Sequence, residues 1–500
     1  MSVSQGVIAS SLMTAGHFDL GAAARREMIQ DGFDPDFPPG TDEQVEAIKN
    51  ARDEQRDQRA ESGTRDLRHL LWSSIDNDTS RDLDQVEFAE RVQQGIRVLV
   101  GIADVESVVP IGSPIDDHAA RETTTVYTPV RVFPMLPEAL STDLTSLVEG
   151  SDRLAIVIEM VIASDGSIAS SDIYPALIRN TAQLTYRAVG DWLEGRGAPD
   201  PKVAASADLA AQVKLQDEAA TALRSQRFRL GALSFDRVEM EPQIHDGQVQ
   251  DVRAAKKSRA DDLIEDFMIA ANEAMAKTLK NSGVSSIRRV VKSPERWPRI
   301  VELAARYGDN LPPQADSAAL NDFLQKQRAS DPIHYADLSL AVMKLMGPGE
   351  YVMSGPGDIK DGHFGLAATD YTHSTAPNRR FADLVTQRLI KSVISRSSAP
   401  YSDDELIAIA RNCTLKEDAA RKVERAMGKR AAALAFHHRI GQSFAAVVTG
   451  ANAKGVFVRV LDPPVEGRLI RGESGADVGD QVRVTLINTD PERGYIDFAR

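Results

Sequence analysis

Four aspartates lie within nine residues in one polar segment: Asp76, Asp78, Asp82 and Asp84. Like charges so close together repel, so the segment needs either a bound cation or full hydration. We expect Asp82 and Asp84 to share one face of an extended strand, because side chains alternate there. Mg²⁺ sites that act on phosphates combine a few carboxylates with phosphate oxygens. The segment predicts such a site or, equally well on these residues alone, a solvated acidic turn.

A calcium-binding loop is a second site that this spacing resembles. Counted from Asp76, the ligand positions of an EF-hand loop fall on oxygen-bearing side chains as far as Glu87. The sixth position, where the sharp turn needs glycine, is Arg81, and the residues before Asp76 show no helical pattern. We therefore expect no EF-hand.

The strands and helices predicted around this segment indicate an α+β fold. Apolar runs at 96–102 and 154–162 are typical of strands, and apolar residues at helical spacing predict helices over 261–280 and 378–396. The first sixty residues predict two polar helices around a break rich in Pro and Asp, and the second, over 41–61, has few apolar anchors.

Strand-like runs return near the end of the chain. They lie at 444–448, 455–461, 481–487 and 494–498, separated by Gly, Pro and Asp turns, which is the pattern of a small β-barrel. In the second run Val456, Val458 and Val460 should face inward. Phe457 and Arg459 would then lie on the outer face, where they could form a platform for RNA, although an exposed Phe beside Arg is also common by chance.

Composition restricts the partner and the compartment. Lys and Arg total 59 against 73 Asp and Glu, a net charge of −14, which by itself argues against nucleic acid. Residues 411–440 nevertheless carry eight basic and three acidic side chains. The single cysteine, Cys413, excludes an internal disulfide, and no apolar run is long enough to cross a membrane. We expect a cytoplasmic protein without a membrane partner.

Ordered motifs between Ile75 and Arg380 carry a family resemblance. With the acidic segment, the chain resembles the ribonuclease II / ribonuclease R (RNB) family of 3′→5′ exoribonucleases. The further motifs are Ile102-Ala103-Asp104-Val105, Val126-Tyr127-Thr128-Pro129, Pro134-Met135-Leu136-Pro137, Leu184-Thr185-Tyr186, Ile264-Glu265-Asp266-Phe267, His363-Phe364-Gly365-Leu366 and Tyr371-Thr372-His373-Ser374-Thr375-Ala376-Pro377-Asn378-Arg379-Arg380.

The resemblance implies three parts. These are a helical N-terminal region (1–62), an RNB catalytic domain (63–440) with a mixed sheet and packed helices around an RNA channel, and an OB-fold RNA-binding barrel of ribosomal S-one type (441–500). Because helices are predicted ahead of the acidic segment, we expect a short form without N-terminal cold-shock domains. The implied activity is Mg²⁺-dependent hydrolysis of single-stranded RNA from its 3′ end to nucleoside 5′-monophosphates, with Mn²⁺ able to substitute. We expect a monomer, and no protein partner is indicated.

The resemblance also assigns roles to individual residues. Asp76, Asp82 and Asp84 match the metal-binding acids, and Asp84 matches the one that is hardest to replace. Arg379 matches the arginine at the scissile phosphate, with Arg380 beside it on the RNA. Tyr127 matches an aromatic that stacks on a base near the 3′ end, and Glu265 a glutamate near the terminal nucleotide.

Structural alternatives exist for three of these residues. Arg379 could form a helix ion pair with Asp383 at i+4, although Pro377 is expected to open a helix there and to create an anion site. Tyr127 could be a core aromatic, and Glu265 could be a solvent-exposed residue on its helix.

One position departs from the family pattern. A fourth acid usually follows the residue matched by Asp84, and here that position is Gln85. An amide offers a carbonyl oxygen but no charge, so we expect Gln85 in the metal site with weaker Mg²⁺ binding. The rival interpretation is a catalytically weak or inactive RNB scaffold that only binds RNA.

Overall fold

A computed structural model of the chain describes residues 18–54, 63–236, 239–245, 248–255, 257–332, 334–358, 362–452 and 455–500. It confirms the α+β fold with a C-terminal OB-type barrel. Two helices form the described N-terminal region: α1 (Leu20–Gln30) and α2 (Thr41–Glu54). The remainder of the region expected to be helical, 1–17 and 55–62, lies outside the described residues. The second helix is anchored, because Val45 is buried and Gln44 contacts Ser113.

The central sheet carries the acidic segment. Its elements in chain order are β1 (Arg65–Asp66), β2 (Trp72–Asp76), β3 (Gln85–Val92), β4 (Gly95–Ala103), α3 (Pro114–Glu122), β5 (Val126–Tyr127), β6 (Val132–Phe133), β7 (Asp152–Ile162) and β8 (Ile168–Thr185). The strand order is β1-β8-β2-β3-β4-β7, and β8 also pairs with β7. The sheet therefore closes into a ring, because the first part of β8 pairs with β7 and its last residues pair with β2.

Helices cover this ring. They are α4 (Tyr186–Leu193), α5 (Pro201–Ala205), α6 (Ala207–Arg229), α7 (Arg259–Asn281), α8 (Trp297–Arg306), α9 (Ser317–Ser330), α10 (Tyr335–Met346), α11 (Phe381–Ser395) and α12 (Asp403–Phe436), with strands β9 (Glu239–His245), β10 (Gln248–Ala255), β11 (Ser286–Val290) and β12 (Glu350–Ser354) between them. Ser258 and Asp261 form a capping box at the start of α7, whose apolar stripe is buried as predicted.

The C-terminal barrel consists of β13 (Ser443–Asn452), β14 (Gly455–Val460), β15 (Glu466–Arg471), β16 (Gln481–Asp490) and β17 (Tyr495–Ala499). The strands close in the order β13-β14-β15-β17-β16. Val458 and Val460 are fully buried, as predicted, and Val456 packs against the same core. The sequence pattern missed β15 because its residues are mostly polar and only Leu469 is buried. The core of the barrel is continuous with α1 and α12.

Two local predictions are wrong. Asp82 and Asp84 lie in the irregular segment between β2 and β3, not on a strand, since pairing of β3 begins at Gln85. The helix expected over 378–396 begins at Phe381. Pro377 therefore does not open this helix, and Ser374, which precedes Pro377, donates to the side chain of Asn272.

Candidate active site

Asp84 is a buried carboxylate at the point where the chain enters β3. Its backbone oxygen accepts a hydrogen bond from Ala103, and the preceding Leu83 is held by Ser146. The Asp84 side chain is 1% exposed, and its Oδ1 accepts the backbone N–H of Asn378 at 3.0 Å. Burial raises the pKa of Asp84 to about 7, against the opposing effect of Arg379. Near neutral pH this carboxyl group is therefore poised between its protonated and charged forms.

Arg379 faces Asp84 from the loop that precedes α11. Its Nε lies 3.2 Å from Oδ2 of Asp84, an ion-pair contact without hydrogen-bond geometry. The loop is fixed because the Thr125 N–H donates to the Arg379 carbonyl oxygen. The Arg379 side chain is 45% exposed, and Asp84 is its only ion-pair contact among the described residues. The terminal guanidinium nitrogens thus remain available for an anion such as a phosphate.

The alternative pairing of Arg379 with Asp383 does not occur. Arg380 takes that position instead, since its Nε and Nη2 donate to the two oxygens of Asp383 at 2.8 and 2.7 Å. Arg380 lines a partly open pocket with Tyr351 and His373. Contact of Arg380 with RNA therefore stays a prediction, and the present geometry assigns it to anchoring the start of α11.

Tyr127 connects the acidic segment to α12. Its hydroxyl donates to Oδ2 of Asp82 at 2.7 Å, and its backbone N–H donates to the Glu424 carboxylate at 3.2 Å. The side chain is 39% exposed, so it is not a core aromatic. An exposed ring fixed at both ends is suited to stacking on a base.

Glu265 lies on the exposed face of α7, where it pairs with Lys257. Lys257 also contacts Asp262 at 2.9 Å. The structure thus gives Glu265 a local partner, and its role near the terminal nucleotide stays a prediction.

The predicted metal residues offer suitable donors without being gathered around one point. Within the described ranges, no three His, Cys, Asp or Glu side chains form a group that could hold an ion as they stand. Asp82 is hydrogen-bonded to Tyr127, Asp84 faces Arg379, and Asp76 accepts the N–H of Asn77. Yet Oδ2 of Asp84 is buried without a hydrogen-bond partner. Carboxylate oxygens of this kind suit a hard divalent cation. To bind one, Asp82 would release Tyr127 and Asp84 would release Arg379.

The two barrel residues predicted to contact RNA have different environments. Phe457 is half-buried on β14. Arg459 points to the outer face but is occupied, because its Nη2 lies 2.8 Å from Oδ1 of Asp337 on α10 and its side chain is only 11% exposed. Arg459 therefore joins the barrel to α10, and an RNA contact would require this ion pair to open.

The basic stretch 411–440 covers α12 from Arg411 to its end and the four residues after it. Some of its basic side chains are paired within the protein. Lys416 donates to the Gly32 carbonyl and lies over the Phe33 ring. Arg430 pairs with Glu27 at 2.7 Å. These contacts bind α12 to the N-terminal region, so only part of the local positive charge faces solvent.

Three residues near the site were not found from the sequence. Glu424 holds Tyr127, and Asn378 binds Asp84 while its own Nδ2 is buried without a partner. Glu87 is fully buried on β3, two residues after Gln85. The sequence had placed Glu87 only at the last ligand position of the rejected calcium loop, and Asn378 only within a family motif. It gave no signal for Glu424, because the partner of Glu424 is remote in the chain.

The sequence that contains this site matches a known protein family. Residues 64–396 match the RNB domain, and residues 442–500 match the RNase II-type exonuclease C-terminal S1 domain. The chain belongs to the RNB family.

Relatives of this RNB protein extend over most of its length. It is 29% identical to Ribonuclease R 1 of Lactococcus lactis, with 93% of this chain and 59% of the relative covered. It is 30% identical to Ribonuclease R of Thermotoga maritima, with 87% and 64% covered. The chain thus spans about three fifths of the length of these relatives.

The fold also matches a solved structure. RNase R of Mycoplasma genitalium in complex with ribose-methylated single-stranded RNA superposes with a TM-score of 0.84 at 21% identity, covering 96% of this chain and 78% of the other. None of the described helices of this RNB protein combines the length with the apolar composition that a membrane span requires.

Proposed function

We propose that this RNB protein is a 3′→5′ exoribonuclease that hydrolyses single-stranded RNA to nucleoside 5′-monophosphates. The observation that carries the proposal is the facing pair of Asp84 and Arg379, brought together from opposite ends of the RNB domain. A buried acid with an unpartnered oxygen and an arginine with free terminal nitrogens are complementary to a cation and a phosphate. The ribonuclease R relatives and the RNA complex of the structural neighbour support RNA as the substrate.

The chain's own residues have separate tasks in this reaction. Asp76, Asp82, Asp84 and the amide oxygen of Gln85 would hold Mg²⁺ or Mn²⁺. When bound, the metal supplies Lewis-acid stabilisation of the phosphate and lowers the pKa of water. Arg379 binds the scissile phosphate and stabilises the charge that develops on its oxygens. Water attacks phosphorus and loses a proton, and the bond to the 3′ oxygen of the preceding nucleotide breaks. That oxygen takes up a proton to become a 3′ hydroxyl, and the phosphate stays on the 5′ oxygen of the released nucleotide.

Tyr127 and Glu424 position the end of the RNA. The exposed Tyr127 ring would stack on a base near the 3′ end, which tolerates any sequence. The hydrogen bond from the Tyr127 hydroxyl to Asp82 connects this stacking contact to the acidic segment. Binding of the RNA end and assembly of the metal site are therefore coupled through one side chain.

A gel assay tests the proposal. The purified chain is incubated with a 5′-labelled RNA that has a single-stranded 3′ end, with Mg²⁺ or with EDTA, beside the Asp84→Asn variant. We expect a ladder of products that shorten progressively from the 3′ end in Mg²⁺ only, and none with the variant. Binding of the RNA without shortening would instead identify the RNA-binding scaffold that the neutral Gln85 favours. A retained ladder with Asp84→Asn would refute the assignment of the site.

A further inference from the structure

Glu87 is a buried acid for which the described residues provide no compensating contact. Its side chain is 0% exposed, and neither Oε1 nor Oε2 has a hydrogen-bond partner. An uncompensated carboxylate away from water costs several kcal/mol, so such groups are normally paired, protonated or bound to a metal. No ion pair of Glu87 occurs in the part of the chain that the structure describes.

The position of Glu87 relates it to the acidic segment. Glu87 and Gln85 are two residues apart on β3, and since side chains of a strand alternate, both lie on the same face. Glu87 is paired across the sheet with Ser73 of β2, the strand that ends at Asp76. Burial, and after it the negative charge of Asp76, raises the pKa of Glu87. Both also act electrostatically on the Tyr186 hydroxyl.

The neighbouring polar groups do not neutralise Glu87. Gln216 of α6 donates to the backbone oxygen of Glu87 at 3.3 Å and to the Ser73 hydroxyl at 3.4 Å, but not to the Glu87 carboxylate. The Gln216 Oε1 is itself buried without a partner. The packing around Glu87 therefore leaves both of its carboxylate oxygens without a hydrogen-bond partner, on the strand face that also carries Gln85.

We propose that Glu87 is a further carboxylate of the divalent-cation site, which supplies next to Asp76 the negative charge that Gln85 lacks. The inference rests on the proposed function for the identity of the cation. With Glu87 the site again has four acids: Asp76, Asp82, Asp84 and Glu87. Glu87 lies two residues after Gln85, the position at which the family pattern has its fourth acid, and on the same face of the strand. Gln85 then contributes only its amide oxygen.

Direct metal binding tests this without reference to catalysis. Mn²⁺ is titrated into the full chain, and free Mn²⁺ is measured by electron paramagnetic resonance. We expect Glu87→Gln to weaken Mn²⁺ binding about tenfold or more, Gln85→Asp to strengthen it, and the double variant to return toward the wild-type affinity. Glu90→Gln is the matched control, because Glu90 lies on the same strand and pairs with Arg97, and it should bind Mn²⁺ as the wild type does.

A purely structural, protonated Glu87 predicts a different result. Glu87→Gln would then bind Mn²⁺ with unchanged affinity, and this outcome overturns the inference. Glu87→Met, which fills a similar volume without charge, gives the same test should the amide disturb folding, and circular dichroism identifies which variant is folded. RNA shortening by the wild type separates the two claims. If the wild type shortens RNA and Glu87→Gln binds Mn²⁺ with unchanged affinity, only this inference is refuted. If Glu87→Gln weakens Mn²⁺ binding but the wild type does not shorten RNA, only the exoribonuclease proposal is refuted.

Discussion

Asp84→Asn should change how the stability of the metal-free protein depends on pH. Burial raises the pKa of Asp84 from 3.8 to about 7 in the folded protein. The folded state therefore binds the Asp84 proton more tightly than the unfolded state does. The resulting stabilisation is complete below the unfolded pKa and is lost as the pH rises toward 7. Above that pH the folded protein carries a buried charge that asparagine would not carry.

The magnitude follows from the two pKa values. Each pKa unit corresponds to about 1.4 kcal/mol, so between about pH 5 and about pH 8 ionisation of Asp84 should cost the wild type roughly 3 kcal/mol. Urea unfolding in EDTA, followed by tryptophan fluorescence, measures this cost as the change with pH in the stability difference between wild type and Asp84→Asn. The difference should move by roughly 3 kcal/mol in favour of the variant as the pH rises.

Two further measurements sharpen this prediction. Arg379→Ala removes the positive charge that lowers the pKa of Asp84, so the pH range over which stability is lost should extend higher. Mg²⁺ at about pH 8 should stabilise the wild type more than Asp84→Asn, because a cation bound only by the folded state adds to its stability. A stability difference that stays constant between the two pH values would refute the claim that Asp84 is a desolvated acid.

The remaining predictions concern RNA. Arg379→Ala should lower the rate of RNA cleavage about 10²–10³-fold. Arg379→Lys keeps the charge but not the planar fork of the guanidinium, so its loss should be smaller. Single-turnover kinetics measures both rates, and equal losses would contradict bidentate phosphate binding. Tyr127→Ala should weaken binding to short RNA by about 1–3 kcal/mol, because it removes the stacking ring. Tyr127→Phe keeps the ring and loses only the hydrogen bond to Asp82, so it should bind RNA nearly as the wild type does. Fluorescence anisotropy measures both affinities. Arg459→Ala and Asp337→Asn should lower the melting temperature similarly and leave RNA affinity unchanged, and a loss of affinity for Arg459→Ala alone would show that Arg459 leaves its ion pair to bind RNA.

Local patterns in the sequence predicted much of the fold. The apolar periodicity of α7 and the strand runs at β4 and β7 could be read from neighbouring residues, because each pattern depends only on which side chains are buried. Strand β15 could not be read this way, because its one buried residue leaves no alternation. Closure of the central sheet was equally hidden, because it depends on one long strand, β8, pairing with both β7 and β2.

The candidate site depends on contacts that are remote in sequence. Asp84 and Asn378 are 294 residues apart, and no local pattern predicts that the backbone of one binds the side chain of the other. The sequence indicated that Arg379 and Asp383 could pair, but the later start of α11 gives that partner to Arg380. The family resemblance named Asp84 and Arg379 individually. Their contact, and the isolation of Glu87, required the three-dimensional structure.

The identity of the first product shows whether this RNB protein removes nucleotides one at a time from the 3′ end of RNA. Uniformly labelled single-stranded RNA is incubated with the chain and Mg²⁺, and the released material is separated by thin-layer chromatography from the earliest time point. Nucleoside 5′-monophosphates are expected from the start, while the remaining RNA shortens from its 3′ end. Internal fragments as the first products, or no product at all from a chain that binds the RNA, would contradict this expectation.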